Sequence, residues 1–168
     1  GGATRDEDFI EHIFIASTHD TMLFFSQMGK CFWLPVYQIP EGTRTSKGRA
    51  IQNMISLPPD DKIMAYIDIH DLEDEAFINE HYLVFCTKKG TIKKTTVEAF
   101  SRPRANGIVA INIAEGDELL AVRLTNGNCE VMMAVKSGRA IRFPEEKVRP
   151  MGRTATGVIG IELADDQD

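Results

Sequence analysis

Residues 82–95, YLVFCTKKGTIKKT, decide the fold: apolar β-formers flank a short polar turn whose glycine, Gly90, can take the positive φ that such turns require. The same hairpin recurs at 22–35, MLFFSQMGKCFWLP, and at 131–144, VMMAVKSGRAIRFP, with turn glycines Gly29 and Gly138. A second glycine follows each, Gly48, Gly107 and Gly157, at spacings of 19, 17 and 19 residues. A repeat of this kind governs the whole architecture and outranks any local assignment.

After each second glycine comes an apolar run, 50–57, 108–114 and 158–163, whose alternation predicts a third strand. Fourth strands are expected at 62–69 and 118–125, each entered through an acidic turn, 58–61 and 115–118. The third repeat shows no fourth strand, whereas 8–18 has that pattern ahead of the first hairpin, so the expected order is shifted, with each fourth strand preceding its hairpin. This reading takes residues 1–7 as a tag remnant or linker and 8–168 as the repeat array, with units at about 8–57, 62–114 and 118–163. The longer first period falls in the acidic linker 70–80, which is expected to make a short helical excursion.

The predicted fold class is therefore all-β: a propeller-like or pinwheel array of about three four-stranded blades in a partial ring. The shifted order implies a strand exchanged between blades, or two chains completing each other, so that few edges stay open. An ordinary β-sandwich is the plainer alternative. Phe24, Phe25, Met132 and Met133 are expected in core and interface packing, and Trp33 with Phe32 in a blade core rather than stacked on a base.

Composition narrows the function. Hydrophobic residues are 43% and charged residues 26% of the 168, ordinary globular usage with enough apolar side chain for a core. No apolar run approaches the ~20 residues that span a bilayer, and a soluble cytoplasmic chain is expected. Cys31, Cys86 and Cys129 form no Cys-x-x-Cys pair and read as buried thiols, and the four histidines show no zinc-ligand spacing, so no metal is expected. No carboxylate pair, Ser-His arrangement or phosphate-cradling Gly-Lys-Ser/Thr loop argues for a catalytic centre.

The net charge of −6 hides strong segregation. Arg44, Lys47 and Arg49 stand without an acid in 42–52; Lys88, Lys89, Lys93, Lys94, Arg102 and Arg104 face only Glu98 in 88–104; Lys136, Arg139, Arg142, Lys147, Arg149 and Arg153 face only Glu145 and Glu146 in 136–153. Eight acids gather in 60–80 against Lys62 alone. Basic clusters in step with the strand pattern should line one edge of the array, a curved stripe that neutralises phosphates and releases counterions. All these bases except Lys147 are candidate DNA contacts. RNA fits the same electrostatics, and a protein-interaction propeller is the competing function.

Several strings taken together resemble the C-terminal β-pinwheel domain of the A-type subunit of bacterial DNA gyrase, also present in degenerate form in the A-type subunit of topoisomerase IV. They are EDFIEH at 7–12, THDTMLFFS at 18–26, VYQIPEGTR at 36–44, KGRAI at 47–51, GTIKKT at 90–95, GDEL at 116–119 and VRPMGRTATGVIGI at 148–161. The resemblance implies a basic rim that wraps double-stranded DNA and presents it for ATP-dependent negative supercoiling. It also implies partners, the B-type gyrase subunit and the rest of the A-type subunit in an A2B2 heterotetramer, without membrane contact. ATP and Mg would be used by other parts of that assembly, with no cofactor in this chain. The family's Gln-Arg-Gly-rich box belongs to a blade ahead of this stretch. Tyr37, Tyr66 and Tyr82 do not resemble the surroundings of the family's nucleophilic tyrosine.

Overall fold

The computed structural model describes residues 13–41 and 51–161. In chain order the strands are β1 (Thr21–Ser26), β2 (Lys30–Pro35), β3 (Ile63–Ile69), β4 (Tyr82–Thr87), β5 (Thr91–Thr96), β6 (Ile108–Val109), β7 (Leu119–Thr125), β8 (Glu130–Ala134), β9 (Ala140–Pro144) and β10 (Val158–Ile159). One short helix, α1 (Glu75–Glu80), lies in the acidic linker where the excursion is expected; Asp74 caps it by accepting the Phe77 amide.

All three hairpins form as read. Gly29, Gly90 and Gly138 turn at φ of 92°, 90° and 89°, and each donates its amide three residues back, to Ser26, Thr87 and Val135. The repeat extends to the far ends of the hairpins, where Val36, Val97 and Glu145 donate their amides to the carbonyls of Asp20, His81 and Cys129. The acidic turns are latches. Asp61 Oδ1 accepts the amides of Met28 and Lys62, and Asp117 Oδ1 accepts those of Lys89 and Glu118, which ties each fourth strand to the hairpin turn beside it.

Two four-stranded antiparallel sheets result, ordered β3-β1-β2-β6 and β10-β5-β4-β7, with β8 and β9 as a separate pair. The expected exchange of a strand is present, but its identity differs from the shifted order. Fourth strands β3 and β7 pair with the hairpin that precedes them in the chain, and the third strand is the one that crosses back, β6 onto β2 and β10 onto β5. The crossings explain the second glycines. At Gly107 (φ 74°) a Cβ would lie 2.6 Å from the Phe32 ring, and at Gly157 (φ 110°) 2.3 Å from the Ile92 carbonyl, so only glycine admits so close an approach. Residues 8–12 of the expected leading strand and Gly48 lie outside the described residues, and 13–18 forms no strand.

The third strands are also shorter than expected. β6 stops after Val109 because the amides of both Ala110 and Ile111 turn onto the Gly29 carbonyl, at 2.8 and 3.1 Å, and their side chains plug the core. At 51–57 there is a 3-10 turn instead of a strand. Ile51, Met54 and Ile55 are spaced i, i+3, i+4, a helical stripe that packs on Met22, Phe24, Phe32 and Leu34.

Alternation along β1 sends Met22 and Phe24 to that outer cluster and Leu23 and Phe25 to the main core, which explains why the strand is apolar on both faces. The main core lies between the two sheets. Phe25 meets Phe85 and Phe100 edge-on at 5.4 and 5.8 Å, and Trp33 donates its indole N–H to the Phe100 carbonyl at 2.9 Å. Trp33, Phe24 and Phe25 are buried as expected, whereas Met132 is 73% exposed, because β8 is an edge strand with one open face. Of the cysteines, Cys31 is buried and the other two are half-buried.

Candidate nucleic-acid interface

The basic residues fall into three physical groups. Lys93 and Lys94 belong to the interior, at 0% and 4% exposure, a correction to their place among the surface contacts. β5 is covered on both faces, so neighbouring side chains on it are both enclosed. Their equivalents one repeat earlier, counted from the turn glycine, are Phe32 and Trp33, which is the signal in the sequence that marks these positions as core.

Each buried ammonium is fully engaged. Lys94 Nζ donates to the Glu145 carbonyl at 3.1 Å, lies 3.5 Å from Glu145 Oε1 and sits 4.7 Å from the centre of the Tyr82 ring. The carboxylate of Glu145, itself at 0% exposure, accepts Thr125 Oγ1 and the Cys129 amide, both at 2.9 Å. Lys93 Nζ donates to the carbonyls of Ala110, Gly152 (3.1 Å) and Arg153 (2.7 Å). Burial, and after it the charge of Arg153, pulls the Lys93 amine down to about 7.

The second group sits on hairpin turns. Lys88, Lys89, Lys136 and Arg139 are exposed beside Gly90 and Gly138. Lys88 is ion-paired to Glu118, and Lys136 shares with it the rim of a cleft between the second sheet and β8, walled by Val84, Ile92, Met133 and Leu120. Arg123, on β7, adds a base at this rim that the cluster reading passed over, since it stands alone among apolar neighbours in the sequence.

The third group lies in the crossing loops. Arg102 and Arg104, from the loop entering β6, and Arg153, from the loop entering β10, line one surface recess with Glu98, Ala99 and Ile108. Arg102 is held by Glu98 at 2.7 Å, and Arg153 donates from Nη1 to the Val109 carbonyl at 3.1 Å. Arg104, like Arg142 and Arg149, is exposed and has no ion pair among the described residues. Arg44, Lys47 and Arg49 lie outside the described residues.

A single basic edge therefore becomes two sites. The turn bases flank Gly90 at the start of β5, whereas Arg102 and Arg104 follow its far end and Arg153 lies beside its middle, where its carbonyl meets Lys93. Two recurring loops nevertheless deliver arginines from successive repeats to one recess. An open concavity with three guanidiniums, of which only Arg102 has a carboxylate partner among the described residues, fits a phosphate oxyanion by fork-like hydrogen bonding.

Among the described residues no helix is long and apolar enough to cross a membrane. The profile of the family described as "DNA gyrase C-terminal domain, beta-propeller" matches residues 20–65, 81–126 and 130–168. The chain is 45% identical over 162 residues to the A-type subunit of DNA gyrase from Salmonella typhimurium, covering 96% of this chain and 18% of that protein. It thus spans about a fifth of the length of such relatives. Among solved structures, the C-terminal domain of DNA topoisomerase IV superposes with a TM-score of 0.73 at 30% identity, covering 84% of this chain and 42% of that one. A DNA gyrase A C-terminal domain matches in fold at a TM-score of 0.67 and 23% identity, covering 86% and 44%.

Proposed function

Since the chain belongs to the DNA gyrase C-terminal domain family, we propose that it is a duplex-DNA-wrapping module whose crossing-loop arginines grip the phosphate backbone. The observation that carries this is the recess where Arg102, Arg104 and Arg153 converge from two successive repeats. Phosphate contacts position a protein on DNA without reading sequence, as a module that bends DNA of any sequence requires. Lys89, Arg139, Arg142 and Arg149 extend the positive surface, Lys88 and Lys136 line a second contact, and Arg44, Lys47 and Arg49 supply the equivalent bases of the first repeat.

In this reading the module serves a cytoplasmic type IIA topoisomerase, DNA gyrase, working with the rest of the A-type subunit and with the B-type subunit in an A2B2 assembly. Strand cleavage, ATP and Mg belong to those other parts, and the module needs no cofactor. Curated relatives at 42–47% identity that are A-type gyrase subunits favour gyrase as the parent. The test is an anisotropy titration of a fluorescein-labelled duplex at low salt with the full-length protein. Arg104→Glu with Arg153→Glu is expected to weaken binding by about a hundredfold, from two lost charge-assisted contacts at ~1.4 kcal/mol each. Unchanged binding refutes the reading, and salt-insensitive capture of a protein in place of DNA would favour the protein-interaction alternative.

A further inference from the structure

We propose that Lys93 is a positioning residue for the arginine recess, its ammonium fastening the backbones of both crossing segments so that Arg153 is held on the recess before any phosphate arrives. The inference rests on the recess being a phosphate site and goes beyond it by naming what builds the site.

The geometry is specific. Three carbonyls from two separate crossings converge on one Nζ: Ala110, where the chain leaves β6 of the first sheet, and Gly152 and Arg153, from the segment entering β10 of the second. The two segments are stitched together nearby, where the Asn112 amide donates to the Ala155 carbonyl at 3.1 Å, and the second segment is closed on itself by the Ala155 amide donating to the Gly152 carbonyl at 3.2 Å. Arg153 is thereby held at both ends, its carbonyl by Lys93 and its guanidinium by the carbonyl of Val109, next to Ala110.

A buried ammonium is costly, and the equivalent positions in the neighbouring repeats carry Phe32 and Ile141. An apolar residue is therefore compatible with this place in a hairpin, but it cannot donate to carbonyls. The lysine occurs where two crossings must be joined under a binding recess, and fixing the side chain beforehand removes the ordering cost from the binding step. Its neighbour Lys94 points to Glu145 and Tyr82 and takes no part.

The experiment is a double-mutant cycle of Lys93→Met and Arg153→Ala in the full-length protein, titrated against a fluorescein-labelled duplex of mixed sequence. Amide hydrogen exchange at Ala155 is followed in parallel. Each single variant is expected to weaken DNA binding by about tenfold, and the double variant by no more than about twice the worse single, because Lys93 acts through Arg153. Exchange at Ala155 speeds up in Lys93→Met while that of the β4 amides stays slow. Losses that multiply, or a folded Lys93→Met that binds like the parent, overturn the proposal. Should Lys93→Met fail to fold, Lys93→Ile, the residue at the matching position 141 and likewise without a donor, enters the same cycle under the same criteria. If Arg104→Ala and Arg153→Ala both leave DNA affinity untouched, the phosphate reading fails. The fastening role is then judged on Ala155 exchange alone, and exchange unchanged in Lys93→Met refutes it.

Discussion

Replacing Glu145 by alanine should destabilise this fold far more than an ordinary glutamate change. Its carboxylate is wholly enclosed and accepts the Cys129 amide and the Thr125 hydroxyl at 2.9 Å, beside the buried Lys94 ammonium. Truncation leaves that ammonium with only the residue-145 carbonyl and the Tyr82 ring, and leaves the Cys129 amide without its acceptor. Breaking one side of a buried pair costs about 3–5 kcal/mol. At roughly 2–4 °C per kcal/mol for a chain of this size, Glu145→Ala lowers Tm by on the order of 10 °C. Thermal and urea unfolding followed through Trp33, the single tryptophan, reports it directly. The double variant Lys94→Met, Glu145→Leu removes both charges together and should regain the part of the loss due to the stranded ammonium, while the Cys129 amide and the Thr125 hydroxyl stay without their acceptor. A Glu145→Ala protein within about 0.5 kcal/mol of the parent, or a double variant no better than the single, would refute the buried-pair account.

Two further outcomes follow from local geometry. Gly157→Ala drives a Cβ to 2.3 Å from the Ile92 carbonyl, against backbone that cannot yield cheaply, whereas Gly138→Ala meets nothing within 4 Å. The second should cost only the left-handed strain of ~1–2 kcal/mol and the first clearly more, a ranking that urea midpoints check. Asp68, an exposed side chain raised to about 6 by partial desolvation and by its hydrogen bond to the buried Asp20, keeps a proton in the folded state that the unfolded chain has released. Its stabilisation is complete below about 4 and lost as pH rises through about 6, so stability declines across that window. Asp68→Asn, permanently neutral, should flatten that decline in urea titrations at successive pH values; an unchanged profile would exclude the Asp20–Asp68 pair as its source.

The hairpins, their turn glycines and the acidic turns are legible in the sequence because each rests on short-range chemistry repeated in step, and the short helix because its acidic linker breaks the period; that a strand is exchanged is legible too, but not which one. What was not legible came from partners distant in sequence. The residues at 108–114 alternate like a strand, yet Ala110 and Ile111 both turn to the Gly29 carbonyl, a partner 81 and 82 residues away. Which hairpin a fourth strand joins is decided by the Asp61 and Asp117 latches on the turns at 28 and 89, and no local pattern encodes that. At the candidate interface, Arg102, Arg104 and Arg153 stand in the recurring basic stretches of the sequence, yet nothing in their spacing separates them from the buried Lys93 and Lys94. A lysine on a doubly covered strand is spelled like one on a surface, and only comparison with Phe32 and Trp33 at the matching positions exposes the difference.

The most direct test of the central claim is the slope of log K against log salt for duplex binding, measured for the full-length protein with and without Arg104→Ala and Arg153→Ala. Each phosphate contact contributes about −0.9 to that slope, so the paired substitution should make it shallower by roughly 2, uniformly across DNA sequences. A slope that stays the same while the protein remains folded would place the phosphates elsewhere and contradict the recess as the grip on DNA.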